Sequence, residues 1–127
     1  MVGICGDGST LMRLGELETF ARYKVAVPLV IINDGALGTM KQRQKERGLA
    51  KYTLDLTLVD FAAIAKGFGL EGVTVSTPEA YEEELVKALE RTEVCTVIDC
   101  RIDKEAYWGS FAPMRGGQYA KDGGSGF

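Results

Sequence analysis

Apolar and polar positions alternate along this chain in blocks that switch between the period of a strand and that of a helix. Residues 2–5 form a short apolar run, broken at once by Gly6, Asp7 and Gly8, the pattern of a buried strand that ends in a tight turn. Over residues 14–23 Leu14, Leu17, Phe20 and Ala21 fall at helical spacing and leave Glu16, Glu18, Arg22 and Lys24 for the outer face. Residues 25–32, VAVPLVII, make a near-continuous apolar run, as in a strand covered on both faces. Pro28 lacks a ladder donor, so the ordered strand is expected to begin at or after it and to stop at Asn33-Asp34-Gly35. A helix over residues 37–47 and a loop over residues 48–58 follow.

Asp60 is placed to cap a compact helix with the stripe Phe61, Ile64, Ala65 and Phe68, and Gly69 supplies a left-handed stop. Residues 73–75 form a short strand. Thr77-Pro78-Glu79 is a helix start, because proline suits the first helical position and an acid there complements the dipole. That helix is expected to reach about Arg91 and to bury Tyr81, Leu85, Ala88 and Leu89, before a last strand over residues 94–102. The pattern then disappears, and residues 104–127, Gly-rich at their end, are expected to be a mobile tail. Strands alternating with helices predict an α/β fold, a parallel sheet of about four strands with helices on both faces. In such sheets ligands bind beyond the carboxyl ends of the strands. Gly6-Asp7-Gly8-Ser9 and Asn33-Asp34-Gly35-Ala36 both lie at such ends.

Composition narrows the chemistry. The 127 residues contain 15 Lys and Arg against 18 Asp and Glu and no His. Without imidazole, Ser-His-Asp hydrolysis, Cys-His proteolysis and His-containing zinc sites are excluded. The net charge of -3, with no long basic run, argues against a nucleic-acid partner. No apolar run is long enough to span a bilayer and no signal peptide is recognisable, so neither membrane insertion nor export is expected. Cys5, Cys95 and Cys100 are odd in number and sit in apolar runs, which reads as reduced core thiols and a cytoplasmic location. Cys95 and Cys100 are five apart in a strand-like stretch, so they are expected on opposite faces. The basic cluster Lys41, Arg43, Lys45 and Arg47 and the run Glu82-Glu83-Glu84 read as solvated helix faces.

Neighbouring parallel strands end on one edge of the sheet, about 5 Å apart, so Asp7 and Asp34 are able to face a single cation. Two carboxylates plus a backbone carbonyl suit a hard ion such as Mg²⁺ or Ca²⁺. Backbone N–H groups near Gly8 and Ser9 would admit a phosphate. On residue chemistry alone, two such turns are more often ordinary helix-leading loops. The dinucleotide fingerprint fails, because Leu11 stands where its third glycine belongs, and no phosphate-loop Gly-Lys-Ser/Thr is present.

The segment Gly6-Asp7-Gly8, followed after 24 residues by Asn33-Asp34, resembles the thiamin diphosphate signature. GDGSTLMRLGELETFARY, VPLVIINDGALG and VDFAAIAKGFGLEGVTV resemble the C-terminal diphosphate-binding domain of acetolactate synthase, benzoylformate decarboxylase and their relatives. The resemblance implies that Asp7 and Asp34, with the carbonyl of Ala36, ligate Mg²⁺. It places Gly8 and Ser9 against the diphosphate, with Gly6, Asn33, Leu37 and Gly38 in the same cofactor site. Asp34 departs from the asparagine often found there and adds negative charge. The implied activity is that of a 2-oxo acid decarboxylase or acetolactate synthase-like carboligase, with thiamin diphosphate and Mg²⁺ as cofactors and a 2-oxo acid as substrate. No residue here corresponds to the family's activating glutamate, which belongs to a pyrimidine-binding domain usually supplied by a neighbouring subunit. The resemblance therefore implies residues 1–103 as a cofactor-binding domain, short at its N-terminus, that needs a partner, forms an oligomer and is inactive alone. A noncatalytic interaction domain or fragment keeping the fold is the alternative, and a receiver-like phosphate-signalling domain a weaker one. Trp108 and Phe111 are expected to fold over the site or a partner, or to act as simple packing anchors.

Overall fold

The computed structural model describes residues 1–50 and 53–103. The expectations for the tail, Trp108 and Phe111 included, lie outside the described residues. The elements are β1 (Gly3–Gly6), α1 (Asp7–Met12), α2 (Glu16–Arg22), β2 (Leu29–Asn33), α3 (Gly38–Glu46), α4 (Phe61–Gly67), β3 (Glu71–Val75), α5 (Pro78–Glu90) and β4 (Thr96–Arg101). The strands form one sheet in the order β1-β2-β4-β3, and every pairing is parallel. This is the α/β architecture that the alternating pattern predicts.

Two-residue periodicity sorts the core into two layers. Leu17 of α2 and Phe61 and Ala65 of α4 pack with Ile31 and Val97 on one face of the sheet. Ala88 of α5 packs with Val30, Val75 and Ile98 on the other. Cys95 belongs to the first layer and Cys100 to the second, so the two thiols are on opposite faces, and all three cysteines are free. Burial pushes the Cys95 and Cys100 thiols up to about 11, which makes them inert core groups. Every residue of β4 up to Cys100 is buried, as a central strand requires.

Helix ends follow local chemistry. The Asp60 carboxylate accepts the Ala63 N–H at 2.8 Å, and the Thr77 hydroxyl accepts the Ala80 N–H at 3.2 Å ahead of Pro78. At the end of α4, Gly69 takes φ +79°, the Gly69 N–H reaches the Lys66 carbonyl at 3.0 Å and the Leu70 N–H the Ala65 carbonyl at 3.0 Å. These paired bonds, with Leu70 and Ala65 sharing one core cluster, form a Schellman stop.

Three expectations are corrected. The Gly-Asp-Gly segment is not a free turn before a helix at residue 14: α1 starts at Asp7 itself, and the chain breaks at Arg13-Leu14-Gly15 before α2. Extended Gly6 ends the strand and Asp7 favours the first helical turn through the dipole, so strand and helix adjoin directly. Phe68 is exposed because it is the C-cap residue, where the chain leaves the helix for Gly69. Leu89 is 51% exposed because α5 turns the stripe of Tyr81, Leu85 and Ala88 to the sheet, lying mainly against β3 and β4. Among the described residues, the same placement leaves the outer face at Ile4 and Ile32 uncovered. Ile4 is 68% exposed and borders, with Val30, Ile32, Tyr81 and Ile102, an apolar groove of about 430 Å³.

Helix α4 approaches the sheet so closely at Gly72 that a Cβ there would overlap the Ala62 carbonyl oxygen and lie 2.9 Å from the Ala62 Cα. Both contacts are backbone, so no rotamer change relieves them. Gly72→Ala is expected to destabilise the fold by about 3 kcal/mol, read by urea denaturation. Asp60→Ala, which removes only the cap, is expected to cost about 1 kcal/mol in the same measurement.

Candidate functional site

The site begins with register. Strand β1 pairs β2 with Gly6 beside Ile32, so Asp7, directly after β1, and Asn33-Asp34, at the end of β2, emerge side by side on the carboxyl edge of the sheet. Asp7 is buried, at 5% exposure. Its Oδ1 accepts the Gly8 N–H at 2.7 Å and its Oδ2 accepts the Gly35 N–H at 2.8 Å, which joins the two turns through one carboxylate. Gly35 turns its amide inward at φ +64°, a conformation that favours glycine. The Asp34 Oδ1 accepts the Ala36 N–H at 3.1 Å, the local bond by which an aspartate shapes its own turn.

Asp7 is held in an environment that resists its charge. Burial pushes its carboxyl above the ordinary value of 3.8 and the neighbouring Asp34 carboxylate raises it further, against the lowering effect of the Gly8, Gly35 and Ala36 amides. A buried carboxyl raised by a second carboxylate beside it suits a divalent cation, which would reverse the penalty. Among the described residues no cluster of three acidic, thiol or imidazole side chains occurs. A cation at this edge would therefore draw further oxygens from the backbone or from a ligand. The Ala36 carbonyl is suited to this, since among the described residues it takes no backbone hydrogen bond.

The second turn is pinned from outside the sheet. The Leu37 N–H donates to the Leu54 carbonyl and the Leu56 N–H to the Gly35 carbonyl, each at 2.8 Å, making an antiparallel bridge between Ala36 and Asp55. Leu37 also covers the first turn: a Cβ on Gly8 would come within 2.5 Å of the Leu37 Cδ2. Gly8 thus lets the two turns approach. Of the predicted site residues, Asp7, Gly8, Asn33, Gly35's neighbours Asp34 and Ala36, Leu37 and Gly38 gather at this edge, with Gly38 opening α3. Gly6 and Ser9 flank Asp7 and are exposed. From the basic cluster, Lys41 is drawn into an ion pair with Asp55 at 2.7 Å, while Arg43, Lys45 and Arg47 are exposed.

The structure adds two residues that the sequence analysis does not single out. Asp99 on β4 is fully buried and its Oδ1 accepts from the Asn33 Nδ2 at 2.8 Å. Its Oδ2 accepts the Phe61 N–H at 3.2 Å and pairs with Arg101, whose Nε and Nη2 lie 3.1 and 2.9 Å away. The signal was an acid and a base at alternate positions of an otherwise apolar strand, the spacing that puts both on one face. Asn33 gives its second amide hydrogen to the Val59 carbonyl at 2.9 Å, and its own buried Oδ1 has no partner among the described residues.

Residues 1–100 match the family described as thiamine pyrophosphate enzyme, C-terminal TPP binding domain. The chain is 30% identical over 109 residues to the acetolactate synthase large subunit of Haemophilus influenzae, covering 84% of this chain and 19% of that one. It is 33% identical over 107 residues to the acetolactate synthase isozyme 3 large subunit of Escherichia coli, covering 81% and 19%. Among solved structures, the thiamine diphosphate-dependent 4-hydroxybenzoylformate decarboxylase of Rhodococcus jostii RHA1 superposes with a TM-score of 0.75 at 30% identity, covering 80% of this chain and 19% of that one. The benzoylformate decarboxylase of Polynucleobacter necessarius gives 0.75 at 27% identity, over 81% and 19%. The chain thus spans about a fifth of the length of these relatives. With its parallel sheet and its two joined acidic turns at one edge, this chain belongs to the thiamine pyrophosphate enzyme family as a C-terminal cofactor-binding domain.

Proposed function

We propose that the chain is the thiamin diphosphate- and Mg²⁺-binding component of a 2-oxo acid decarboxylase or acetolactate synthase-like carboligase. The observation that carries this reading is the bond from the Gly35 N–H to the Asp7 carboxylate, which fixes both acidic turns around one small volume. In this reading Asp7 and Asp34 give carboxylate oxygens and Ala36 a carbonyl oxygen to Mg²⁺. Gly8 and Ser9 lie against the diphosphate, and Gly6, Asn33, Leu37 and Gly38 complete the cradle. The residues fit the group: the donors are all oxygen, as Mg²⁺ requires, and Gly8, by admitting the Leu37 side chain onto the first turn, keeps the two turns together.

Bound thiamin diphosphate supplies the carbanion chemistry that decarboxylates a 2-oxo acid. The chain's own work is anchoring and electrostatics. The Asp7–Asp34 pair concentrates negative charge at the sheet edge, the cation offsets it, and the diphosphate is held through that cation. No catalytic residue is assigned within the chain. The activating glutamate belongs to a pyrimidine-binding domain, placed here on another chain or another part of a longer one, within an oligomer. Free thiols fit a reducing, cytoplasmic compartment.

Isothermal titration calorimetry tests the reading: thiamin diphosphate is expected to bind only with Mg²⁺, and Asp7→Ala to weaken binding about 100-fold, or ~2.8 kcal/mol. No binding even with a pyrimidine-domain partner added favours a noncatalytic interaction domain. A second prediction follows from the raised Asp7 carboxyl. Because the folded chain holds this proton more tightly than the unfolded one, cation-free stability falls as pH rises from 3.8 through the raised value. Mg²⁺ competes with that proton, so its affinity rises across the same window and levels off above it. Asp34→Asn removes the neighbouring charge and is expected to move the window to lower pH, followed by Mg²⁺ titration at a series of pH values.

A further inference from the structure

Strand β4 carries an acid in its interior, and its neighbours account for every contact of that acid. Alternation puts Asp99 and Arg101 on one face of β4, and the parallel register sets Ile31 beside Asp99 and Asn33 beside Arg101. Asp99 therefore meets Asn33 diagonally across the strand pair. A fully buried carboxylate persists only when paired and hydrogen-bonded. Here Arg101 neutralises Oδ2, and the first amide of α4, at Phe61, adds a second donor to the same oxygen.

Oδ1 is left for Asn33, and this choice has a directional result. A carboxylate accepts and does not donate, and so does the Val59 carbonyl, so the Asn33 amide must turn its nitrogen toward both. With two hydrogens spent at 2.8 and 2.9 Å, the side chain has one orientation. Its backbone is fixed as well, since its carbonyl accepts the Ile102 N–H at 3.1 Å. Asn33 is the last residue of β2, directly before Asp34 and Gly35. The Asp99 carboxylate thus links β4 and the start of α4 to the root of the turn whose Gly35 amide holds Asp7, and Asn33 adds the loop at Val59.

We propose that Asp99 is a positioning residue for the cofactor turn: through the Asn33 side-chain amide it sets where Asp34, Gly35 and Ala36 leave the sheet. It acts on the cation ligands without touching them. Its role in cofactor binding rests on the reading of that turn given above, whereas its hold on the turn does not.

The test uses the 127-residue chain and three proteins: wild type, Asp99→Asn and Ala88→Gly. Asparagine at position 99 can still accept from Asn33 through one atom, but it sets an N–H against Arg101 and Phe61. Ala88→Gly weakens the opposite core layer and serves as a stability control. Amide hydrogen exchange by NMR is read at Gly35, without cofactor. Protection at Gly35 is expected to fall at least tenfold in Asp99→Asn beyond any fall in Ala88→Gly. Equal protection in the two variants, corrected for their global stabilities, overturns the proposal. Should Asp99→Asn not fold, Asp99→Glu keeps the charge for Arg101 and moves the carboxylate by one methylene. It is expected to lose Gly35 protection likewise, and wild-type protection overturns the proposal. Mg²⁺ titration with thiamin diphosphate is the second arm, with about tenfold weaker binding expected for Asp99→Asn and unchanged binding for Ala88→Gly. A wild-type chain that binds no cation overturns the proposed function, while the exchange result at Gly35 still decides the part played by Asp99.

Discussion

The in-register parallel pairing of β1 with β2 is the constraint on which everything at the carboxyl edge depends. It is fixed by backbone hydrogen bonds between two short strands, and it sets Gly6 level with Ile32. A slip of one residue would reverse every side chain of β2, sending Ile31 out of its core layer and Asn33 away from Asp99. Burial of Ile31 against Leu17 and Phe61 thus protects the alignment of two turns that belong to neither core cluster. Hydrophobic packing supplies the stability, and the register converts it into a position for charge.

That charge works against the fold. A buried carboxylate beside a second one is a cost that the amides of Gly8, Gly35 and Ala36 only partly offset. Asp99, also buried, is treated differently: it has a guanidinium on the same face. The contrast separates two kinds of buried acid. One is neutralised by the protein and links elements together. The other is left for a ligand, so any cation bound there adds its binding free energy to folding.

Much of this was legible in the sequence because the relevant rules are local. The limits of β2 followed from Pro28 and from the polar turn at Asn33, and the caps of α4 and α5 from Asp60, Gly69, Thr77 and Pro78. The two acidic turns were legible as glycine-flanked breaks after apolar runs. What escaped depends on tertiary placement. Leu89 has the right spacing but no strand beneath it, and Phe68 lies where its helix ends. The helix at Asp7 was hidden by two glycines whose low helix propensity is overridden by strand and turn geometry. Asp99 and Asn33 stand 66 residues apart, and no local pattern reveals that they meet.

The bridge that joins residues 35–37 to residues 54–56 makes the chain between them an excursion with both ends tied at the same point. For such a loop the entropic cost of added length grows only as its logarithm. Beyond Leu37 and Gly38, helix α3 is accordingly able to change in length with little disturbance of Gly35 or Ala36. Evolution is thereby given separate handles on this edge of the sheet: one segment open to variation, hung from an anchor whose geometry it does not set.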